Sequence, residues 1–247
     1  MGAIMILRRV IKHFRHQEWT AIFLDFVIVV VGVIVGLQVS NWNDGRIAKQ
    51  RMEQQLLLVA EEMTENSDRL QNYIEDLDGV VTDMVKFRGV FAGKIEVSND
   101  ELNRLLWRAL PVPTLLIKRD ALDKLLTSEQ FTGPRVSALR QSFGQWDYKV
   151  ADLIRTNQDA LVYRDNFIHN TYSETIAFSS IQEFIPDIDL EMPPSPFQNE
   201  VAAVVSNLKL ENIVTVRLTM SKGNQKNAED TLAQTRNLIQ LIKETSL

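Results

Sequence analysis

The sequence predicts an all-α protein: a single N-terminal transmembrane helix running into a long amphipathic helix of an extracytoplasmic helical bundle. Three observations predict it. Residues 21–39, AIFLDFVIVVVGVIVGLQV, form an apolar run of about the length a helix needs to cross a bilayer, roughly 20 residues at ~1.5 Å each. Steps of three and four residues from Met52 to Phe91 land on twelve positions, eleven of them apolar or aromatic, which is the period of a helix seam. No run alternates cleanly enough for a sheet, and Lys94–Val97 is the best strand candidate and a poor one.

Residues 1–18 read as a basic cytoplasmic N-terminus, 19–42 as the membrane helix and 43–247 as the extracytoplasmic, periplasmic domain. A secretory signal has a shorter apolar core, about 7–15 residues, and a small-x-small cleavage site. Leu37-Gln38-Val39-Ser40-Asn41-Trp42 offers no such site, so the segment is expected to be retained. Trp19 and Trp42 stand where interfacial aromatic residues belong. Arg8, Arg9, Lys12 and Arg15 precede the span, whereas Arg46, Lys49 and Arg51 after it are mixed with Asp44 and Glu53. That bias predicts an N-terminus inside and the remainder outside.

Asp25, Gly32 and Gly36 are spaced seven and four residues apart and project from nearly one side of a helix. Gly32-Val33-Ile34-Val35-Gly36 is a small-xxx-small pattern that lets two helices approach closely. One reading is a homo-oligomer seam. The other is that glycine is common in membrane helices, with Asp25 shallow enough to reach headgroup water and favoured by the helix dipole.

The 52–91 seam comprises Met52, Leu56, Val59, Met63, Asn66, Leu70, Tyr73, Leu77, Val80, Met84, Phe87 and Phe91. A helix over 46–91 is about 65–70 Å long. Asn66 either fixes the register of an oligomer or lies at a kink or wet gap where the helix packs on its own domain, the second being favoured by the helices that follow. Glu61, Glu62, Glu65 and Asp68 are expected on a solvated flank, since the Glu-x-x-His pairs of a di-iron bundle are missing.

Ser98-Asn99-Asp100-Glu101 is a capping box opening a helix to Ala109, stopped by Pro111-Val112-Pro113. Asp120–Leu126 is a short helix. Thr132-Gly133-Pro134 starts another with proline at its first position, continuing through Val136, Leu139, Phe143, Trp146, Val150 and Leu153 towards Phe167. Residues 186–196 are a proline-rich loop. A short helix over 200–208 and a longer one over 211–244, weakened by Gly223, complete the chain.

Chemistry is sparse. With residues 1–40 set aside (four Lys/Arg, two Asp/Glu), the rest holds 23 Lys/Arg against 30 Asp/Glu, net −7, which argues against nucleic acid and against docking on anionic lipid. Zero cysteines exclude disulfides, thiol nucleophiles and cysteine metal sites. His169 has no neighbouring partner residue in sequence, and no HExxH, GxSxG, GxGxxG or GxxxxGK[ST] pattern occurs. Asp187, Asp189 and Glu191 alternate and would face one way in an extended segment, a weak candidate for a hard cation, although a proline-bounded acidic loop is more simply solvated. No catalytic set and no cofactor are expected.

The exit of the span adds a resemblance. Asp25 opening an apolar segment, closed by Gln38, Asn41, Trp42, Asn43 and Asp44, resembles an uncharacterised bacterial single-pass membrane family catalogued as domain of unknown function 6090. Ala121-Leu122-Asp123-Lys124-Leu125-Leu126 before a Gly-Pro break is similar to that family's middle section. Relatives often carry alanine where this chain has Gly36. The resemblance implies inner-membrane topology and a helical outer region, not an activity. Two functional classes follow: a non-enzymatic interaction or scaffold module whose partners are the bilayer, a second copy or an envelope protein, and, alternatively, a small-molecule sensor or enzyme with a pocket between helices.

Overall fold

The structure, a computed structural model, describes residues 18–129, 131–132, 134–181, 184 and 195–245. The chain divides into two compact units, Met1–Gln54 and Gln55–Leu247, and the first helix, α1 (Glu18–Phe91), contributes to each. The all-helical expectation holds: no strand occurs among the described residues, and Lys94–Val97 is turn and coil.

In the first unit α1 carries the apolar run, which is long and apolar enough to cross a membrane. None of its most apolar window is buried. Phe23, Val29 and Leu37 are each about three-fifths exposed, whereas the core helix of a water-soluble protein covers such side chains because each is worth ~1.5–3 kcal/mol when buried.

In the second unit the remainder of α1 packs with two other long helices, α4 (Ser137–Phe167) and α6 (Leu208–Thr245). Between α1 and α4 lie α2 (Asn99–Arg108) and α3 (Asp120–Thr127), and α5 (Val201–Val205) precedes α6. The seam of α1 is buried as the stepping predicts: Leu56, Val59, Met63, Asn66, Leu70, Tyr73, Leu77, Met84 and Phe87 are all inside. An apical cluster joins Met84, Phe87 and Val90 to Leu102, Leu105 and Leu106 of α2, Phe167 of α4, and Leu210, Ile213 and Val214 of α6. A middle cluster joins Leu70, Tyr73 and Leu77 to Leu153 of α4 and to Ala228 and Leu232 of α6. These memberships run α1 parallel to α4, with α6 antiparallel to both.

Local chemistry fixes the ends. α1 stops where Gly93 adopts φ +65°, the left-handed conformation that suits glycine after a helix; the amides of Lys94 and Ile95 both bond the Gly89 carbonyl. A Cβ on Gly89 would lie 2.5 Å from Ile95 Cδ1, so glycine there permits the close return of the chain. Ser98 caps α2 by accepting from the Glu101 amide at 3.2 Å. The other half of the capping box does not form, because the Glu101 carboxylate binds Lys86 and Arg104 instead. Pro134–Val136 forms a 3₁₀ turn, and α4 proper begins at Ser137. Gly223 does not interrupt α6.

Candidate functional site: a buried polar layer under an extended strap

The seam of α6 explains the site. Steps of three and four from Leu210 give Val214, Arg217, Ser221, Asn224, Ala228, Thr231, Thr235, Leu238 and Ile242, all buried. Its middle is polar rather than apolar. On α4 the corresponding seam is Leu153, Asn157 and Ala160. Arg217, Ser221 and Asn224 of α6 fall between buried residues of the apical and middle clusters, as does Asn157 of α4, so buried polar side chains separate two apolar clusters.

Across this layer runs an extended strap, Leu110–Arg119, which has no helix or strand bonds of its own. Side chains from all three long helices hold its backbone. Arg217 Nη2 donates to the Pro111 carbonyl at 2.8 Å, and Asn157 Nδ2 donates to the Pro113 carbonyl at 3.4 Å. Asn66 accepts from the Lys118 amide at 2.9 Å and donates to the Lys118 carbonyl at 2.8 Å. Asn66 is therefore a fully paired clamp with no exposed surface. Leu115 and Ile117 turn inward against the middle cluster.

The strap leads into α3, whose preceding residue, Arg119, offers no side-chain cap. Glu62 of α1 supplies it. Its carboxylate accepts from the amides of Ala121 at 2.8 Å and Leu122 at 3.1 Å, satisfying donors that helix N-termini leave free. Glu62 is only 7% exposed, so the solvated-flank expectation fails for it. Glu65 bonds Lys118, whose hydrogen bond and charge hold the Glu65 carboxyl below its ordinary range. Glu61 and Asp68 are exposed as expected.

Burial dominates the electrostatics of the layer. It pushes the Tyr73 hydroxyl up to about 12, and raises Tyr172 and Tyr163 in the same direction. Arg217, 1% exposed, is brought down to about 10 by burial and then by the like charge of Arg164. Tyr73 donates to Asn157 Oδ1 at 3.2 Å, and Tyr172 donates to the Leu106 carbonyl at 3.0 Å. A π-helical turn, Ile168–Tyr172, follows α4 and carries Tyr172 inside.

The residues singled out by sequence lie elsewhere. Asp25, Gln38, Asn41 and Asp44 are exposed. A Cβ at Gly32 or Gly36 would meet nothing within 4 Å. Trp42 is exposed with the Arg46 guanidinium 5.9 Å from its ring centroid, and Arg46 donates to Asn43 Oδ1 at 3.3 Å. His169 is exposed on the π-helical turn. Trp146 is buried and donates to Thr235 Oγ1 at 2.8 Å. Asp187, Asp189 and Glu191, like the basic residues Arg8, Arg9, Lys12 and Arg15, lie outside the described residues. Among the described residues no group of three His, Cys, Asp or Glu side chains is placed to hold a metal ion.

A groove between α4 and α6, lined by Ser142, Gln234, Asn237, Leu238 and Leu241, opens broadly to solvent. Glu244 is its one charged lining residue, and no nucleophile–base pair faces it. Comparison with protein families, curated proteins and solved structures finds no match. Fold and site together define a helical protein with one N-terminal helix long and apolar enough to cross a membrane.

Proposed function

We propose that this chain is a single-pass protein of the bacterial inner membrane. Its N-terminus is cytoplasmic, and its helical bundle is held in the periplasm as a non-enzymatic interaction or scaffold module of the envelope. The uncovered apolar stretch of α1 carries this reading: about twenty apolar residues exposed on a helix have a stable environment in lipid, where all backbone groups are already bonded. Two further features support it. Trp42 with Arg46 beside it suits the headgroup zone, and helix continues through 38–44, where a cleaved signal needs an accessible extended site. The exit residues Gln38, Asn41, Trp42, Asn43 and Asp44 support membership of the family of unknown function that they resemble. The bilayer is the first partner; the second is another copy or an envelope protein.

Paired C-terminal fusions test the topology. Alkaline phosphatase, active only outside the cytoplasm, is expected to be active, and green fluorescent protein dark. The reverse pattern, or release of the chain by alkaline carbonate, refutes the placement. Crosslinking in native membranes, followed by purification, identifies the partner.

A further inference from the structure

The strap leaves part of its backbone unspent. Exposure alternates residue by residue from Thr114 to Arg119, the period of an extended strand, and the β-branched Val112 and Ile117 favour that conformation. In such a segment the N–H and C=O of one residue point to one side, and those of the next residue point to the other. Lys118 gives both of its groups to Asn66 of α1, and the Leu116 carbonyl accepts from Arg69 of α1 at 3.5 Å. The even-numbered positions therefore face α1. The Pro111 and Pro113 carbonyls accept from Arg217 of α6 and Asn157 of α4, so the odd-numbered positions face the opposite side. Leu115 and Ile117 belong to that side, and among the described residues their amides and carbonyls bond nothing. Buried backbone groups are nearly always paired, so these four face water along an open edge. Helix α4 forms the floor beside it. Asp147 binds Arg119 and Asn157 binds Pro113, so the strap runs antiparallel along this flank of α4. Ile154, seven residues beyond Asp147, lies on the same flank and is 48% exposed.

We propose that this edge takes an extended segment of a partner protein, which adds beside the strap as a second strand and lays an apolar side chain on Ile154. The pattern selects its occupant. Paired donors and acceptors repeating every two residues match an extended peptide backbone, which offers the same repeat in return. A small molecule or a folded surface does not supply that repeat. A second copy's strap is clasped to its own three helices, and α4 already fills the space beneath the edge, so only a chain free of its own bundle fits. Recognition through the backbone defines the partner by its conformation and by apolar residues at alternate positions. The inference rests on the reading of the bundle as an interaction module and adds the form of the partner. It is independent of where the membrane helix resides.

The probe is a fluorescein-labelled peptide of alternating valine and threonine, about eight residues long, titrated into the detergent-solubilised full chain and followed by fluorescence anisotropy. A Kd of about 0.1 mM or tighter is expected, with hydrogen exchange at the Leu115 and Ile117 amides slowed at least about fivefold. Ile154→Glu, at a half-exposed position, is expected to weaken binding at least about tenfold by placing a charge on the apolar floor. The same peptide with every amide N-methylated keeps its side chains but loses its donors, and is expected to bind at least about tenfold more weakly; this comparison needs no variant to fold. Absence of binding, equal binding by the methylated peptide or by Ile154→Glu, or unchanged exchange at Leu115 and Ile117 overturns the proposal. Concentration-dependent protection of these two amides in the chain alone also overturns it, and assigns the edge to a second copy. Failure of the peptide alongside partner crosslinking at another surface overturns this site and leaves the interaction-module reading standing.

Discussion

Glu62 provides a sharp test of how this domain is held together. Its carboxylate replaces the missing N-cap of α3 by accepting from Ala121 and Leu122 across a sequence separation of about sixty residues. Glu62→Ala strands two amides at a helix N-terminus in a site only 7% exposed. A hydrogen bond to a charged acceptor contributes about 1.5–3 kcal/mol and a cap about 1 kcal/mol. Because the two bonds share one carboxylate and one cap, the expected loss is about 3 kcal/mol rather than their sum. For a unit of this size each kcal/mol moves the melting midpoint by about 2–4 °C, so Tm is expected to fall by about 6–12 °C. Thermal circular dichroism of the detergent-solubilised chain measures it, with hydrogen exchange at Leu122 as the local readout. Glu61→Ala, one residue away but exposed, is the control and is expected to change stability by less than about 0.5 kcal/mol. Equal effects of the two substitutions, or unchanged exchange at Leu122 in Glu62→Ala, would refute the capping argument.

Three other outcomes are expected. Asn66→Leu breaks both bonds to Lys118 and leaves its amide and carbonyl unpaired, costing about 2–4 kcal/mol in urea unfolding; a shift below about 1 kcal/mol would mean that Asn66 adds little to the hold of Asn157, Arg217, Leu115 and Ile117 on the strap. Trp146→Phe loses the bond to Thr235 and part of a fully buried ring, with an expected cost of about 2 kcal/mol. Tyr73 titrates at about 12 when folded and near 10 when unfolded. The unfolded chain releases this proton first, so stability falls as pH rises from about 10 to 12, by a few kcal/mol at most from this group. Arg217, lowered to about 10, acts in the opposite sense over about 10–12.5. Urea midpoints at pH 9 and 12 are therefore expected to show a smaller alkaline loss in Tyr73→Phe than in the parent chain.

How much of this was legible depends on which physical signal each residue carries. The apolar run, the α1 seam and the ends of α1 and α2 follow from periodicity and capping, which are local. The core of α6 did not stand out, because a seam of Arg217, Ser221, Asn224, Thr231 and Thr235 is invisible to a scan for apolar residues at that spacing; the three–four step is intact, and only the polarity differs. Asn66 was visible as the exception in an apolar seam, yet its partner, Lys118 in a segment without regular structure, was not. Glu62 reads as part of a solvated flank because neighbours Glu61, Glu65 and Asp68 share its chemistry. What separates them is a helix that starts 58 positions further on, and no pattern within α1 records it.

The strap has a consequence for which changes the chain tolerates. Its holders, Asn66, Asn157 and Arg217, bond carbonyls and an amide, atoms common to nearly every amino acid. Side-chain identity at outward positions such as Thr114 and Leu116, both exposed, is thus left nearly free, while length is not. Removing a single residue between Pro113 and Lys118 would slide the far contacts out of step with the near ones and turn Leu115 and Ile117 to the outside. The segment works as a gauge of fixed span: swapping letters inside it is a small edit, whereas shortening it by one rewrites the fit of three helices at once.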